Sequence, residues 1–294
     1  MSGPIPITPE ALRDLPLPSA DGGDKNERGR VLVVAGSVQV PGAAILAGTG
    51  ALRVGAGKVR IGTCARNTAL LGLLFPEAFV IGVPETQDGG MAPEGTDLLD
   101  RSASGSDAVL IGPGMMDDAA VSALTARLLR RTADPCWVLD AAAMSGLRER
   151  REELARHAGR IVVTPHPGEM AGILQAERRD VEADPIGAAR TLAADLGIVV
   201  ALKDARTHIV SPQGEAWRYE VGNPGLGTAG SGDTLAGIIA GLLARGAEPI
   251  TATCWGVYLH GEAGNRLARK RGPMGYLARE LLDEIPAILA EASA

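Results

Sequence analysis

The sequence is poor in aromatic residues, lysine and cysteine, and each shortage excludes a class of protein. Aromatic side chains make up 3% of the 294 residues, so small side chains must build a closely packed core. Four lysines and a net charge of -6 leave no basic stripe, and we expect no nucleic-acid partner. Cys64, Cys136 and Cys254 are odd in number and far apart, which argues against disulfides or a zinc site and favours a reducing cytoplasm.

Long hydrophobic runs are also missing. The longest, Leu235–Ala244, is about half as long as a membrane span. The N-terminal segment has no basic stretch followed by an apolar one, as a signal peptide would. We therefore expect a soluble, unprocessed cytoplasmic protein with no membrane partner.

What the sequence does contain is an alternation of apolar, β-branched strands with helices. This pattern predicts an α/β fold in which helices cover both faces of a mostly parallel sheet. No repeat or linker divides the chain, so we predict one domain over residues 1–294, after an irregular lead-in over 1–29 with one short helix at 9–15. The predicted strands are 30–36, 58–63, 78–83, 108–114, 136–141, 160–165, 198–203, 208–212 and 216–222. The predicted helices are 42–57, 119–131, 185–197, 233–245, 249–270 and 278–290.

The stretch GNPGLGTAGSGDTLAGIIAGLLARG, residues 222–246, places five glycines ahead of an apolar helix. Glycines before a helix expose backbone N–H groups at its positive end, which favours phosphate. The pattern is neither a Walker loop, which needs Lys-Ser/Thr after the last glycine, nor a Rossmann fingerprint. Gly237 and Gly241 lie on one helical face and predict close packing against the sheet.

Asp233 at the mouth of this helix has two interpretations. It could cap the helix, as Asp often does. A carboxylate beside an anion site repels phosphate, however, unless it handles a proton. The alternative is that Asp233 is the general base that accepts the proton of a hydroxyl being phosphorylated.

Other polar residues that follow strands have competing interpretations. His166, in TPHPGE, is either structural or part of a pocket, and we favour the pocket. Glu169 caps the next helix or contributes to the site. Lys203 ends a buried strand and needs an anion, for which Asp204 is the simplest partner. His157 and His208 have no motif around them and are expected to be surface or core residues, whereas His260, in the helix WGVYLHGEAG, is expected to be a packing residue.

Five motifs occur in one order along residues 28–265. They are PGAAILAGTGALRVGAGKVRIGT, TPHPGEM, LKDARTHIVSPQG, GNPGLGTAGSGDTLAGIIAGLLARG and VYLHGEAGN. Together they resemble the NAD(P)H-hydrate dehydratase family, whose fold is ribokinase-like: three α/β/α layers around a mostly parallel sheet.

The resemblance implies an enzyme of nucleotide repair. Family members use ADP, or ATP in some lineages, to dehydrate the S epimer of NADHX and NADPHX. The proposed route phosphorylates the ring hydroxyl and then eliminates phosphate. The helix mouth TAGSGD further predicts binding of ADP or ATP with Mg²⁺ carried on the phosphates and no dedicated protein metal site. The resemblance, together with the apolar helices, implies a homotetramer.

The site residues follow by matching motif positions, with Asp233 as the catalytic acid–base. The nucleotide positions are Lys203, Asp204, Ala205, Arg206, Thr207, Gly230, Ser231 and Gly232. The hydrate positions are Ala43, Gly114, Met116, His166, Asn223 and Asp233.

Three positions depart from the family pattern. Met116 stands in GPGMM where the family has glycine, Ala142 replaces the second acid of the segment that begins at Asp140, and Asp204 replaces a glycine. These departures keep two other hypotheses open. One is a ribokinase-like kinase of a sugar or hydroxyethylthiazole, since an anion site and Asp233 serve either reaction. The other is a nucleotide-binding protein without catalysis, against which the retained Asp233 argues.

Overall fold

The computed structural model describes residues 3–19, 24–220 and 223–293. Its ten strands form one sheet in the order β1-β10-β9-β8-β7-β6-β5-β2-β3-β4. The strands are β1 (Ile5–Pro6), β2 (Arg30–Val34), β3 (Lys58–Cys64), β4 (Ala78–Val83), β5 (Ala108–Ile111), β6 (Cys136–Leu139), β7 (Ile161–Val163), β8 (Val199–Leu202), β9 (Arg206–Val210) and β10 (Ala216–Glu220).

Helices connect these strands within the part of the chain that the structure describes. They are α1 (Pro9–Leu12), α2 (Gly42–Arg53), α3 (Thr68–Leu74), α4 (Thr96–Ser104), α5 (Asp118–Arg131), α6 (Arg151–Ala155), α7 (Pro167–Leu174), α8 (Arg178–Ala183), α9 (Pro185–Leu196), α10 (Ser231–Ala244), α11 (Pro249–Arg271) and α12 (Ala278–Ser293).

The sheet is mostly parallel and covered on both faces, as predicted. Only β9 runs against its neighbours β8 and β10. Alternate residues of β2 point to opposite sides: Val31 and Val33 join the core that includes α2, α10 and α11, and Leu32 and Val34 join the core that includes α5 and α9. This alternation is the period of two expected of a strand buried on both faces. The three-layer α/β/α architecture is confirmed.

Several predicted boundaries were wrong. The helix predicted over 42–57 ends at Arg53, the strand predicted from 208 already begins at Arg206, and the helix predicted over 9–15 stops at Leu12. The short helices α3, α4, α6 and α8 and the strand β1 were not predicted, and α7 was predicted only as the helix that Glu169 could cap, without bounds. Parts of the predicted lead-in and of strand 216–222 lie outside the described residues.

Helix α10 packs so closely against α2 that the contact positions have no room for a side chain larger than that of glycine. A Cβ on Gly237 would lie 2.0 Å from the Ala47 carbonyl oxygen, and one on Gly241 would lie 2.6 Å from that of Ala51. Gly50 faces α10 in the same way, with Thr234 O at 2.9 Å. The two glycines were predicted to face the sheet; they face α2 instead, because the helix-on-helix contact is the tighter one.

We expect Gly237→Ala to destabilise the protein by about 2 kcal/mol, since overpacking between two backbones leaves no flexible side chain to move. The matched control is Gly172→Ala in α7, where an added Cβ meets nothing within 4 Å. That change should be neutral or stabilise by up to about 1 kcal/mol through helix propensity. Denaturant unfolding of both variants measures the difference. Equal stabilities would contradict the packing described for α10.

Candidate active site

The predicted site residues lie at the carboxyl ends of the parallel strands. The chain order reverses between β5 and β2, because β2, β3 and β4 run to one side and β5, β6, β7 and β8 to the other. Ligands of open α/β sheets bind at such a reversal. The loops after β2 and β5 meet there, where the Gly36 N–H donates to Pro113 O at 2.8 Å.

The N-terminus of α10 opens onto this edge without a side-chain cap. Gly230 is the capping residue, with φ of 86°, a left-handed conformation that favours glycine. No acceptor for the N–H groups of Gly232 and Asp233 is found among the described residues. Because Asp233 is the third residue inside the helix and caps nothing, its interpretation as an N-cap was wrong.

Lys203 faces the same opening and pairs with a buried acid. Its Nζ lies 2.9 Å from Asp140 Oδ1, and Thr164 Oγ1 donates to the same oxygen at 2.5 Å. The prediction that Asp204 is the partner was wrong: Asp204 is exposed, whereas Asp140 follows β6 and points inward. Burial alone would lower the pKa of the Lys203 ammonium, but Asp140 outweighs this effect and the pKa is raised.

Gly232 lies directly beside this ammonium. A Cβ at Gly232 would be 3.5 Å from Lys203 Nζ. Free N–H groups at the positive end of a helix and a lysine ammonium therefore converge on one small volume. This arrangement attracts a polyanion such as the phosphates of a nucleotide.

Asp233 sits in the same volume and holds its proton unusually well. Burial and the nearby charge of Asp140 raise its pKa, Lys203 lowers it, and the resulting pKa is about 6. The carboxylate is thus ionised at neutral pH yet close to its titration, which suits a general base. The sequence pointed to this residue and kept Asp140 as a retained acid of the family pattern, but no local pattern predicted that the two carboxylates lie close together.

Three of the residues matched to the hydrate pocket follow β2 and β5 at the strand-order reversal, namely Ala43, Gly114 and Met116. Gly114 contacts Ala43 so closely that an added Cβ would lie 2.4 Å from Ala43 Cβ. Met116, which replaces a glycine, is 41% exposed in the loop after β5.

His166 and Glu169 form a reciprocal cap of α7. The N–H groups of Gly168 and Glu169 donate to His166 Nδ1 at 3.0 and 3.2 Å, while the His166 N–H donates to Glu169 Oε2 at 2.8 Å. Glu169 therefore caps the helix, one of its two predicted roles. Because Nδ1 accepts, the ring proton of neutral His166 is on Nε2, which lies 3.6 Å from Glu169 Oε2 on an exposed side chain.

In the segment Lys203–Thr207, the first three residues form the turn between the antiparallel strands β8 and β9, and Arg206 and Thr207 begin β9. Asp204, Ala205 and Arg206 are exposed and Thr207 is buried. A cavity of about 330 Å³ opens beside the turn, and its lining includes Pro167, Val181, Leu202, Asp204, Arg206 and His208. A larger cavity of about 1100 Å³ lies at Arg245, beyond the opposite end of α10 and away from the predicted residues.

The side chains of Asn223 and His260 contact the two ends of the glycine-rich loop, residues 223–231. Asn223 Nδ2 donates to Gly264 O at 2.6 Å and Oδ1 accepts from the Gly225 N–H, so both ends of its amide already bind backbone. His260 was predicted to be a packing residue; it is buried, but its Nε2 also lies 2.9 Å from Ser231 Oγ. A histidine on one helix and a serine at the start of another are not linked by any sequence pattern.

Neither a metal cluster nor a membrane span is found within the described ranges. No group of three His, Cys, Asp or Glu side chains is placed to hold a metal ion. No helix is long and apolar enough to cross a membrane.

A model of the NAD(P)H-hydrate dehydratase family matches residues 31–287. The chain belongs to this family. It is 45% identical to the ADP-dependent (S)-NAD(P)H-hydrate dehydratase of Xanthomonas campestris, with 98% of each chain covered. It is 32% identical to the protein of the same name from Bacillus subtilis, over 97% of this chain and 98% of that one.

Solved structures agree with the family and the fold. The Bacillus subtilis ADP/ATP-dependent NAD(P)H-hydrate dehydratase, co-crystallised with ATP and Mg²⁺, matches with a TM-score of 0.81 and 30% identity over 99% of each chain. A hydroxyethylthiazole kinase from Pyrococcus horikoshii matches with a TM-score of 0.58 at 18% identity, over 95% of this chain and 92% of that one. The kinase therefore shares the fold, and the dehydratases share the fold and the family.

We expect Asp140→Asn to lower the pKa of Asp233, because the change removes a negative charge that disfavours ionisation of its neighbour. Carboxyl-carbon NMR of Asp233 against pH measures the shift. Asp283→Asn, which changes an exposed acid on α12, should leave the titration in place. An unchanged or raised Asp233 pKa in Asp140→Asn would show that the two carboxylates do not interact.

Proposed function

We propose that this protein dehydrates the S epimer of NADHX and NADPHX to NADH and NADPH, with ADP or ATP as phosphoryl donor. The observation that carries the proposal is Asp233 itself. It is an ionisable carboxylate of raised pKa, set between uncapped helix N–H groups and the Lys203 ammonium. A merely structural acid at this position would cap the helix, and Asp233 does not.

The nucleotide would lie with its phosphates at α10. The N–H groups of Gly232 and Asp233, the Ser231 hydroxyl and the Lys203 ammonium would bind phosphate oxygens, with Gly230 turning the chain into the helix. The exposed residues Asp204, Ala205 and Arg206, followed by Thr207, would border the rest of the nucleotide. We propose that Mg²⁺ arrives on the phosphates and neutralises their charge beside Asp233.

The hydrate would occupy the strand-order reversal, with its hydroxyl towards Asp233. Ala43 and Gly114 would form the floor, Met116 the outer wall, and His166 Nε2–H a donor at the rim. Asn223 would act by fixing the loop, since its amide already binds backbone. Met116 in place of a smaller residue should restrict the position of the nicotinamide ring.

The chemistry divides into transfer and elimination. Asp233 takes the proton of the ring hydroxyl while the hydroxyl oxygen bonds to the terminal phosphorus, and the bond from that phosphorus to the bridging oxygen breaks. AMP leaves if the donor is ADP. The ring C–O bond then breaks, phosphate leaves with the bonding electrons, and the adjacent ring carbon loses a proton to give the double bond of the dihydronicotinamide. The helix N–H groups and Lys203 stabilise the charge that develops on the phosphoryl oxygens.

The cellular setting is a further part of the proposal. We propose a cytoplasmic protein that acts as one domain over residues 1–294. The free thiols of Cys64, Cys136 and Cys254 are consistent with a reducing compartment.

We expect Asp233→Asn to reduce turnover by about 10²–10⁴-fold, the usual contribution of a general base, while nucleotide affinity holds or rises. The assay is ADP-dependent recovery of NADPH absorbance from NADPHX. Asp97→Asn, the same change at an exposed acid in the first turn of α4, is the matched control and should be fully active. Turnover of Asp233→Asn close to that of wild type would exclude Asp233 as the base.

The same variant should be more stable than wild type at pH 7.5. The pKa of Asp233 is raised by folding, so its contribution to stability is full below the unfolded-state value and is lost as pH rises through about 6. Well above pH 6 the buried charge therefore opposes folding by about 3 kcal/mol. Asparagine removes this penalty, and the melting temperature should rise by a few degrees at pH 7.5 but not at pH 3.5.

We also propose a homotetramer. Leu70, Leu73 and Leu74 on α3 and Phe79 on the edge strand β4 are exposed, a cluster that a second copy could cover. Light scattering at micromolar concentration should give the tetramer mass, and Leu73→Glu a smaller species. Met274→Glu, at an equally exposed apolar residue elsewhere, should not change the mass. A monomeric wild-type protein would refute the assembly.

A further inference from the structure

One turn of α11 holds the phosphate-facing loop at both of its ends. At the start of the loop, Asn223 Nδ2 donates to Gly264 O at 2.6 Å. At its end, Ser231 Oγ lies 2.9 Å from His260 Nε2. Residues 260 and 264 are four apart and therefore lie on the same face of the helix. The distance between the two ends of the loop is thus set by a rigid element beneath it.

Ser231 has a single donor left for a ligand. Its backbone N–H already donates to Thr228 O at 3.2 Å. Only the hydroxyl hydrogen remains, and a hydroxyl has one hydrogen and two acceptor lone pairs. Whether Ser231 can bind an anionic oxygen therefore depends on which way the O–H···N contact with His260 runs.

His260 is uncharged at neutral pH. It is 9% exposed. Burial and the Lys203 charge lower its pKa, a hydrogen bond with the Ser231 backbone raises it, and the resulting pKa is about 4. A neutral imidazole carries one N–H and one bare nitrogen, so it can act towards Ser231 as donor or as acceptor.

Only one of the two directions of the hydrogen bond between Ser231 and His260 leaves a donor for a phosphate oxygen. If Ser231 donated to His260, its lone pairs would face the phosphate oxygens and repel them. If His260 Nε2–H donates to Ser231 Oγ, the hydroxyl hydrogen is free to point outwards to a phosphate oxygen. Charge-assisted hydrogen bonds of this second kind are the strong ones.

We propose that His260 is a positioning residue of the nucleotide site: its Nε2–H donates to Ser231 Oγ and so directs the Ser231 hydroxyl to a nucleotide phosphate. The inference rests on the proposed function, because it requires a phosphate at the N-terminus of α10. His260 touches no ligand and acts through Ser231. It gives the buried histidine of VYLHGEAGN a role that packing alone does not explain.

Calorimetry of Mg-ADP binding, without hydrate, tests the proposal through four changes. His260→Gln keeps an amide N–H near the Nε2 position, whereas His260→Asn has a side chain too short to reach Ser231. Ser231→Ala removes the hydroxyl itself, and the fourth variant combines Ser231→Ala with His260→Asn. His157→Gln is the matched control, because it alters another buried, hydrogen-bonded histidine. His157 precedes β7 and therefore lies near the amino ends of the strands, away from the site at their carboxyl ends.

We expect Ser231→Ala and His260→Asn each to weaken ADP binding about tenfold, the usual loss for one hydrogen bond to a charged group. The double variant should lose no more than either single one, since both changes remove the same interaction. His260→Gln should bind within about threefold of wild type, and His157→Gln like wild type. Melting temperatures recorded on the same samples separate loss of binding from loss of folding.

Three results would overturn the inference. The first is a folded His260→Asn that binds ADP like wild type. The second is a double variant whose loss is the product of the two single losses, which would make the roles independent. The third is ADP binding by His260→Gln as weak as that by His260→Asn, which would show that His260 acts through packing and not through its hydrogen bond. A wild-type protein that binds no ADP would instead refute the proposed function, and this inference with it.

Discussion

The contact between α10 and α2 is the constraint on which the site depends. Gly50, Gly237 and Gly241 let the two helix backbones touch, and every residue of α10 from Thr234 to Ala244 is buried. A helix held this way along its length cannot slide or rotate. The position of its first turn is therefore fixed relative to β5 and β6, from whose ends Gly114 and Asp140 come.

The charges at that first turn are balanced against one another. Two carboxylates, Asp140 and Asp233, face a single ammonium, Lys203. Thr164 and Lys203 both donate hydrogen bonds to Asp140. No such donor to Asp233 is found among the described residues, and its pKa is raised. Two acids with different environments acquire different tasks: one holds the lysine in place, and the other remains available to exchange a proton.

The sequence predicted local features well and distant contacts poorly. The β-branched runs of β2 and β5 predicted their strands, and glycines before an apolar run predicted the exposed helix end at Gly232. Asp140 and Lys203 are far apart in the chain, and only the order of strands in the sheet brings them together. No local pattern encodes the direction in which Gly237 faces or the contact of His260 with Ser231. Short helices such as α3 were not predicted, because one or two turns contain too few residues to show a helical spacing of apolar side chains.

The packing of α10 on α2 also has a consequence for biosynthesis. The two helices are about 190 residues apart in the chain. At about 5–20 residues per second, the apolar faces of α2 and β2 emerge from the ribosome some 10–40 seconds before α10 exists to cover them. For that interval the nascent chain exposes an alanine- and valine-rich surface with no native partner. The burden on cellular chaperones should therefore fall on the nascent chain, before α10 is made, rather than on the finished protein.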